Sequence, residues 1–417
     1  MKPEISAATR KSRKVIAPSL RSSRLLLVGL LFLVLAVAFW TYLRPLVRER
    51  GLESASLADL EGMAARNGGD ERLLFHIGRR REQSGDPRGA MDAYWRALQI
   101  DQSDNSAWQG WVRTTELSLG PAQAQRVAET WLQADPSSAD ATLSLASEYQ
   151  KLGNHPLAYD AAAKASTLSP GNAQAWGLMG SEAAIMGEHV NAETAFRKAA
   201  AIDPKDWKNA AGLGDALSHL GRSREAIGCF RDAVGLAPSE GAPVLLLGTE
   251  LLRAAMTDPE ASEALRALQT AWDRRSMLPP SAQFQAALML GDCAARDRNW
   301  RDAVQWYEKA KALSPFDPAA AYNLARAYRN VGDEPSAARE FARHATLETI
   351  DRDIKVTAIQ VDANPGDDAA RLRLARLYAK TDQLERAIRA YQTLLERHPS
   401  SGPAISELRS LLTRTGK

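Results

Sequence analysis

The apolar and polar positions of residues 173–206 (AQAWGLMGSEAAIMGEHVNAETAFRKAAAIDPKD) describe two short helices. Small residues sit where helices must touch: Gly180 in the first, Ala192 and Ala199 in the second. The large residues Trp176, Met179 and Phe196 stand three or four positions from them, on the same faces. Gly187 interrupts the helical pattern and Pro204 ends it. So small a unit cannot bury its own apolar face, and it needs a copy of itself on either side.

The copies are present. From Glu71 a period of 34 residues holds for five units: 71–104, 105–138, 139–172, 173–206 and 207–240. Position 8 of successive units reads Gly78, Val112, Ala146, Gly180 and Gly214. Position 20 is always alanine: Ala90, Ala124, Ala158, Ala192 and Ala226. Position 32 reads Gln102, Pro136, Pro170, Pro204 and Pro238. A sixth unit opens at Gly241 with Leu247-Gly248, then slips: Thr257-Asp258-Pro259 lengthens the turn, so Ala264, Leu268 and Ala271 run about four residues late. Residues 277–280 make another long link, and 253–283 is expected to be irregular. Register returns at 284–317 with Leu290-Gly291, Ala303, Tyr307 and Pro315, and continues through 318–351 and 368–401. Residues 336–363 contain neither Gly nor Pro, so one overlong helix or two are equally compatible with this part of an irregular stretch at 336–367. Residues 405–412 (ISELRSLL) form a final amphipathic helix, and 401–417 is expected to cap the array.

These positions resemble the tetratricopeptide repeat family, whose pattern runs from a large residue to Leu-Gly, Tyr, Ala, an aromatic, Ala and Pro. Leu74, Ile77-Gly78, Ala90, Tyr94 and Ala97 follow it in the first unit, and Leu213-Gly214, Ala226, Phe230, Ala233 and Pro238 in the fifth. The resemblance covers residues 71–400, about nine repeats. It implies an all-α fold, a right-handed superhelical solenoid of antiparallel helix pairs, with protein partners and no cofactor.

The amino-terminal part differs in kind. Residues 25–43 (LLLVGLLFLVLAVAFWTYL) are 19 uncharged, apolar residues between Arg24 and Arg44. At 1.5 Å per residue they span about 28 Å, close to the thickness of a bilayer's hydrocarbon core. Phe39, Trp40 and Tyr42 cluster at one end, as in an aromatic belt. Residues 1–24 carry seven basic side chains against Glu4 alone. The positive-inside rule then makes 1–24 a cytoplasmic tail, 25–43 a single transmembrane helix, and everything beyond non-cytoplasmic, periplasmic or extracellular. A cleaved signal peptide is the rival reading, since Ala36-Val37-Ala38 has the form of a cleavage site. Residues 44–70 join this segment to the array, and 57–63 fit a lone second helix with Leu60 and Met63 in place of Phe196 and Ala199.

Charge removes one class of partner. The whole chain has a formal charge of +3, so the strongly basic tail leaves the remainder net negative, and no nucleic-acid partner is expected. Cys229 and Cys293 fall two repeats apart, beyond the roughly 7 Å that a disulfide permits. The six histidines form no HExxH, and there is no GxxxxGK[ST], GxSxG or CxxC, so neither catalysis nor a metal is expected.

The family lines its inner groove with first-helix positions 2, 5, 9 and 12. Carried onto this chain, position 9 is Arg79, Arg113, Ser147, Ser181, Asp215, Thr249, Asp292, Arg326 and Arg376, basic at both ends and neutral to acidic between. Asn323, Arg326 and Arg329, with Arg373 and Arg376, form a candidate site for a carboxylate or phosphate, and Tyr322 a candidate anchor. The Lys/Asn clamp with which some relatives hold a terminal carboxylate is replaced by Phe75 and Arg79. Trp108, Trp111, Trp131 and Trp176 fit core positions. The reading is a membrane-anchored scaffold for protein partners in a cell-envelope complex. The alternative is recognition of an exported polysaccharide or cell-wall polymer, for which Tyr322 and Phe75 are the stacking candidates.

Overall fold

The computed structural model describes residues 44–67, 69–254 and 258–415, and all their regular structure is helical. The chain divides into two compact units between Leu168 and Ser169. The first holds α1 (Arg44–Ser54), α2 (Leu57–Asn67), α3 (Glu71–Gln83), α4 (Pro87–Ile100), α5 (Asn105–Leu119), α6 (Pro121–Ala134), α7 (Ala139–Lys151) and α8 (His155–Leu168). The second holds α9 (Ala173–Ile185), α10 (His189–Ile202), α11 (Trp207–His219), α12 (Ser223–Leu236), α13 (Gly241–Ala254), α14 (Asp258–Asp273), α15 (Pro280–Arg296) and α16 (Trp300–Leu313). It continues with α17 (Pro318–Val331), α18 (Glu334–Ala363), α19 (Asp368–Lys380), α20 (Leu384–Arg397) and α21 (Gly402–Thr415). The proposed span at 25–43 lies outside the described residues, among which no helix is long and apolar enough to cross a membrane.

In several units the residue just before the first helix caps it. Asp104, Ser138, Asn172, Asp206, Asp317 and Asp367 each accept a backbone N–H of the first turn that follows, satisfying donors that the helix itself cannot. Position 15 makes the turn inside the pair and needs a positive φ. Gly187 adopts φ 79°, but in the units starting at 284 and 368 the same place is held by Arg298 and Asp382, both at φ 59°.

Packing between units runs through position 24. Phe196 on α10 is wedged between Gly180 on α9 and Gly212 on α11. A Cβ on Gly180 would lie 2.9 Å from the ring, and one on Gly212 2.5 Å from it. Tyr94 stands in the same way between Gly78 and Gly110. Phe196 and Tyr94 are thus each shared between the first helix of their own unit and that of the next, which is how a repeat array replaces a globular core.

The departures have local causes. In α14 Ala264, Leu268 and Ala271 are buried, a turn later than their counterparts in the regular units, and Leu268 meets Gly248. A 3-10 turn at Arg275–Met277 then leads to α15. Residues 44–70 contain two helices rather than one lone helix, with Leu52 and Leu60 both buried. Residues 336–363 lie within one helix, the 30-residue α18. Ser336, Ala337 and Glu340 are buried near its start, and in the second half Leu347, Ile350, Ile354, Thr357 and Val361 recur every three or four residues. Ile350, Ile354 and Val361 pack against Ala370 and Leu374 of α19.

Candidate interaction surface

Tyrosine at position 24 does more than fill space. Its ring lies in the core and its hydroxyl reaches a carboxylate at the edge. In the first unit Tyr94 Oη donates to Glu82 Oε2 at 3.0 Å, and Arg113 of the next repeat grips the same carboxylate at 2.5 and 2.8 Å. The hydrogen bonds from Arg113 hold Glu82 below the usual carboxylate range. Near the end of the chain Tyr391 Oη donates to Glu407 Oε2 at 2.7 Å, and Arg376 donates to both oxygens of Glu407. Between them in sequence, Tyr307 Oη donates to Asp292 Oδ1 at 2.7 Å and Asn323 Nδ2 to the same atom at 3.2 Å. No guanidinium binds Asp292 directly, and burial raises its carboxyl above the usual range.

Two of these contacts share a register, while Arg113 reaches back to position 12 of the preceding first helix. Position 9 of one first helix meets position 6 of the following first helix: Asp292 with Asn323, and Arg376 with Glu407.

The other residues singled out from sequence are less uniform. Arg79 is exposed on α3. Asp215 is half-buried on α11 with its Oδ1 3.8 Å from His219 Nε2. Arg373 has Asp353 at 3.8 Å. Tyr322 is 41% exposed, with Arg326 stacked 5.7 Å from its ring centroid. Arg329 lies over Phe341 at 5.2 Å. Arg326 and Arg329 therefore rest on aromatic faces, and among the described residues neither makes an ion pair, whereas Arg113 and Arg376 are engaged by carboxylates of the chain itself. The sequence reading missed Glu82 and Glu407. Their only signal is a tyrosine instead of phenylalanine at position 24.

The tryptophans divide. Trp108 and Trp131 are buried and stacked, with ring centroids 6.0 Å apart. Trp111 is partly buried and packs against the same core, and Trp176 is partly buried. Lys198 Nζ stands 4.0 Å above the Trp176 ring. Trp111 lines an open cleft of about 370 Å³ in the first unit with Met91, Trp95, Leu119 and Val127. Phe75, a stacking candidate, is partly buried and packs edge-on against His76.

The helix pairs define an α-helical repeat protein. Family models described as tetratricopeptide repeat match residues 173–206, 211–240, 249–318 and 358–412, and these segments are tetratricopeptide repeats. Among curated proteins none matches the sequence. Among solved structures, MamA is 27% identical over 38% of this chain and 94% of its own, with a TM-score of 0.35. The APC/C hetero-tetramer Cut9-Hcn1 is 15% identical over 85% of this chain and 81% of that one, with a TM-score of 0.42. A tetratricopeptide repeat protein from Parabacteroides merdae is 13% identical over 62% and 98%, with a TM-score of 0.46.

Proposed function

We propose that this chain is a scaffold that holds partner proteins at a membrane, anchored by residues 25–43 with its repeats on the non-cytoplasmic side. Tetratricopeptide repeats imply protein partners, and the observation that carries the reading is the state of the groove-side cations. Arg326 and Arg329 are exposed and rest on Tyr322 and Phe341, and among the described residues no carboxylate pairs with either. An ion pair with a partner there is not preceded by the breaking of an internal one. The apolar run at 25–43 and the basic tail before it support the anchor and its orientation.

Crosslinking in intact membranes followed by identification of the captured proteins tests the scaffold. A reproducible partner set that shrinks in an Arg326→Glu, Arg329→Glu double variant is the expected result. No reproducible partner would sink the reading. A reporter active only outside the cytoplasm, fused after Lys417, tests the orientation and is expected to be active.

A further inference from the structure

The long helix α18 takes the place of something. In a regular unit the second helix packs on its own first helix and on the next one. The first half of α18 follows α17, but the chain then continues as the same helix, and α19 packs against its second half. No first helix follows the first half of α18. The consequence is visible at positions 24, 27 and 28. In the first unit these are Tyr94, Ala97 and Leu98, all buried at 1% exposure or less. In the unit that starts at 318 they are Phe341 and His344, only half-buried, and Ala345, exposed.

Charge is left over at the same place. Position 9 of this unit is Arg326. The register seen at Arg376 and Glu407 would set position 6 of a following first helix beside it, and here no first helix follows the first half of α18. Arg326 lies instead over Tyr322, which in turn is edge-on to Phe341 at 6.0 Å and 5.1 Å from His344. Arg329 lies over the Phe341 ring. The neighbouring charges are accounted for: His344 Nε2 faces Glu348 Oε1 at 3.7 Å, and Arg343 donates to the carbonyl of Pro315 at 2.5 Å. The Asp292 carboxylate, toward which the charge of Arg326 acts, already accepts from Tyr307 and Asn323.

We propose that the face formed by Arg326, Arg329, Tyr322, Phe341 and Ala345 receives an amphipathic helix from a partner protein, which completes the interrupted array by presenting a carboxylate to Arg326. The internal template for the occupant is α21. There Ala404 and Leu411 are buried on the array and Glu407 meets Arg376. The partner helix therefore carries a small residue, an acidic residue three positions later and an apolar residue four positions after that. This deepens the scaffold reading by giving it a defined site.

The probe is a fluorescent peptide with the sequence of residues 402–415, GPAISELRSLLTRT, measured by anisotropy against the full chain. Saturable binding is expected, weakened at least about tenfold by Arg326→Glu and recovered when the peptide carries Glu407→Lys. Arg329→Glu provides a second variant of the same face, and circular dichroism confirms that each variant folds. Failure of the peptide to bind, equal binding to the Arg326→Glu variant, or no recovery on charge exchange would each overturn the proposal. So would an Arg326-dependent dimer of the free chain in sedimentation, which would assign the face to a second copy's α21. If membrane crosslinking captures partners that Arg326→Glu does not release, the scaffold stands and this site falls. If the peptide binds but membranes yield no partner, the reverse holds.

Discussion

Arg376 holds Glu407 with two nitrogens, Nη2 2.7 Å from Oε1 and Nε 3.0 Å from Oε2. The pair ties the closing helix α21 to α19. Hydrogen bonds from Arg376, then from Tyr391, keep the Glu407 carboxyl below its usual range. The sign follows from linkage: the contribution is present above the unfolded-state pKa and is lost as pH falls through the lower folded-state value. Arg376→Ala is expected to destabilise the chain at pH 7 by up to about 1 kcal/mol, since both groups are partly solvated. Thermal melts at pH 7 and in acid should show the difference between variant and parent shrinking in acid. An undiminished difference there would assign the effect to packing.

Phe196 between Gly180 and Gly212 sets a steric limit. Gly180→Leu and Gly212→Ala both force atoms into the ring's space. Each is expected to cost about 1–3 kcal/mol. Urea unfolding followed by circular dichroism measures it, and unchanged midpoints in both variants would refute this account of the contact.

Arg298 occupies, at φ 59°, a turn position that Gly187 holds in the unit 173–206. A left-handed conformation costs a non-glycine residue about 1–2 kcal/mol, while glycine's freedom in the unfolded chain costs somewhat less. Arg298→Gly is therefore expected to stabilise the protein, by up to about 1 kcal/mol. The reverse change, Gly187→Ala, should destabilise it by a similar amount. A fall in melting temperature for Arg298→Gly would show that its side chain contributes more than the backbone strain.

Burial pushes the Cys293 thiol up to about 11. The thiolate is the reacting form, so Cys293 in the folded chain is expected to resist iodoacetamide at pH 8 and to label on unfolding in urea. Mass spectrometry of the labelled peptides reads both states. Rapid labelling in the native state would place Cys293 in a more open setting than its 5% exposure indicates.

Much of the helical plan was legible because it depends on local chemistry. Ala at position 20, Pro at position 32 and the Gly187 turn act within one unit, and the repetition of the alanine and the proline confirms their roles. The slip near 257 was legible too, since a displaced Ala264, Leu268 and Ala271 carry their own register. The stretch at 336–363 was not. A run without Gly or Pro is compatible with one helix or two, and only the packing of α17 and α19 decided between them.

By itself the sequence determined the period, the helix pairs, the turns, and the need of every unit for neighbours. These follow from backbone propensity and from the spacing of small and large residues along one helix. Which arginines are free was decided by the tertiary structure alone. Arg113, Arg326 and Arg376 all stand at position 9 and read alike. Arg113 is taken by Glu82, 31 residues earlier, and Arg376 by Glu407, 31 residues later. Among the described residues Arg326 makes no ion pair, and α18 runs on where a first helix would otherwise lie beside it. A charge's partner depends on which helix lies beside it, and that is a property of the assembled array.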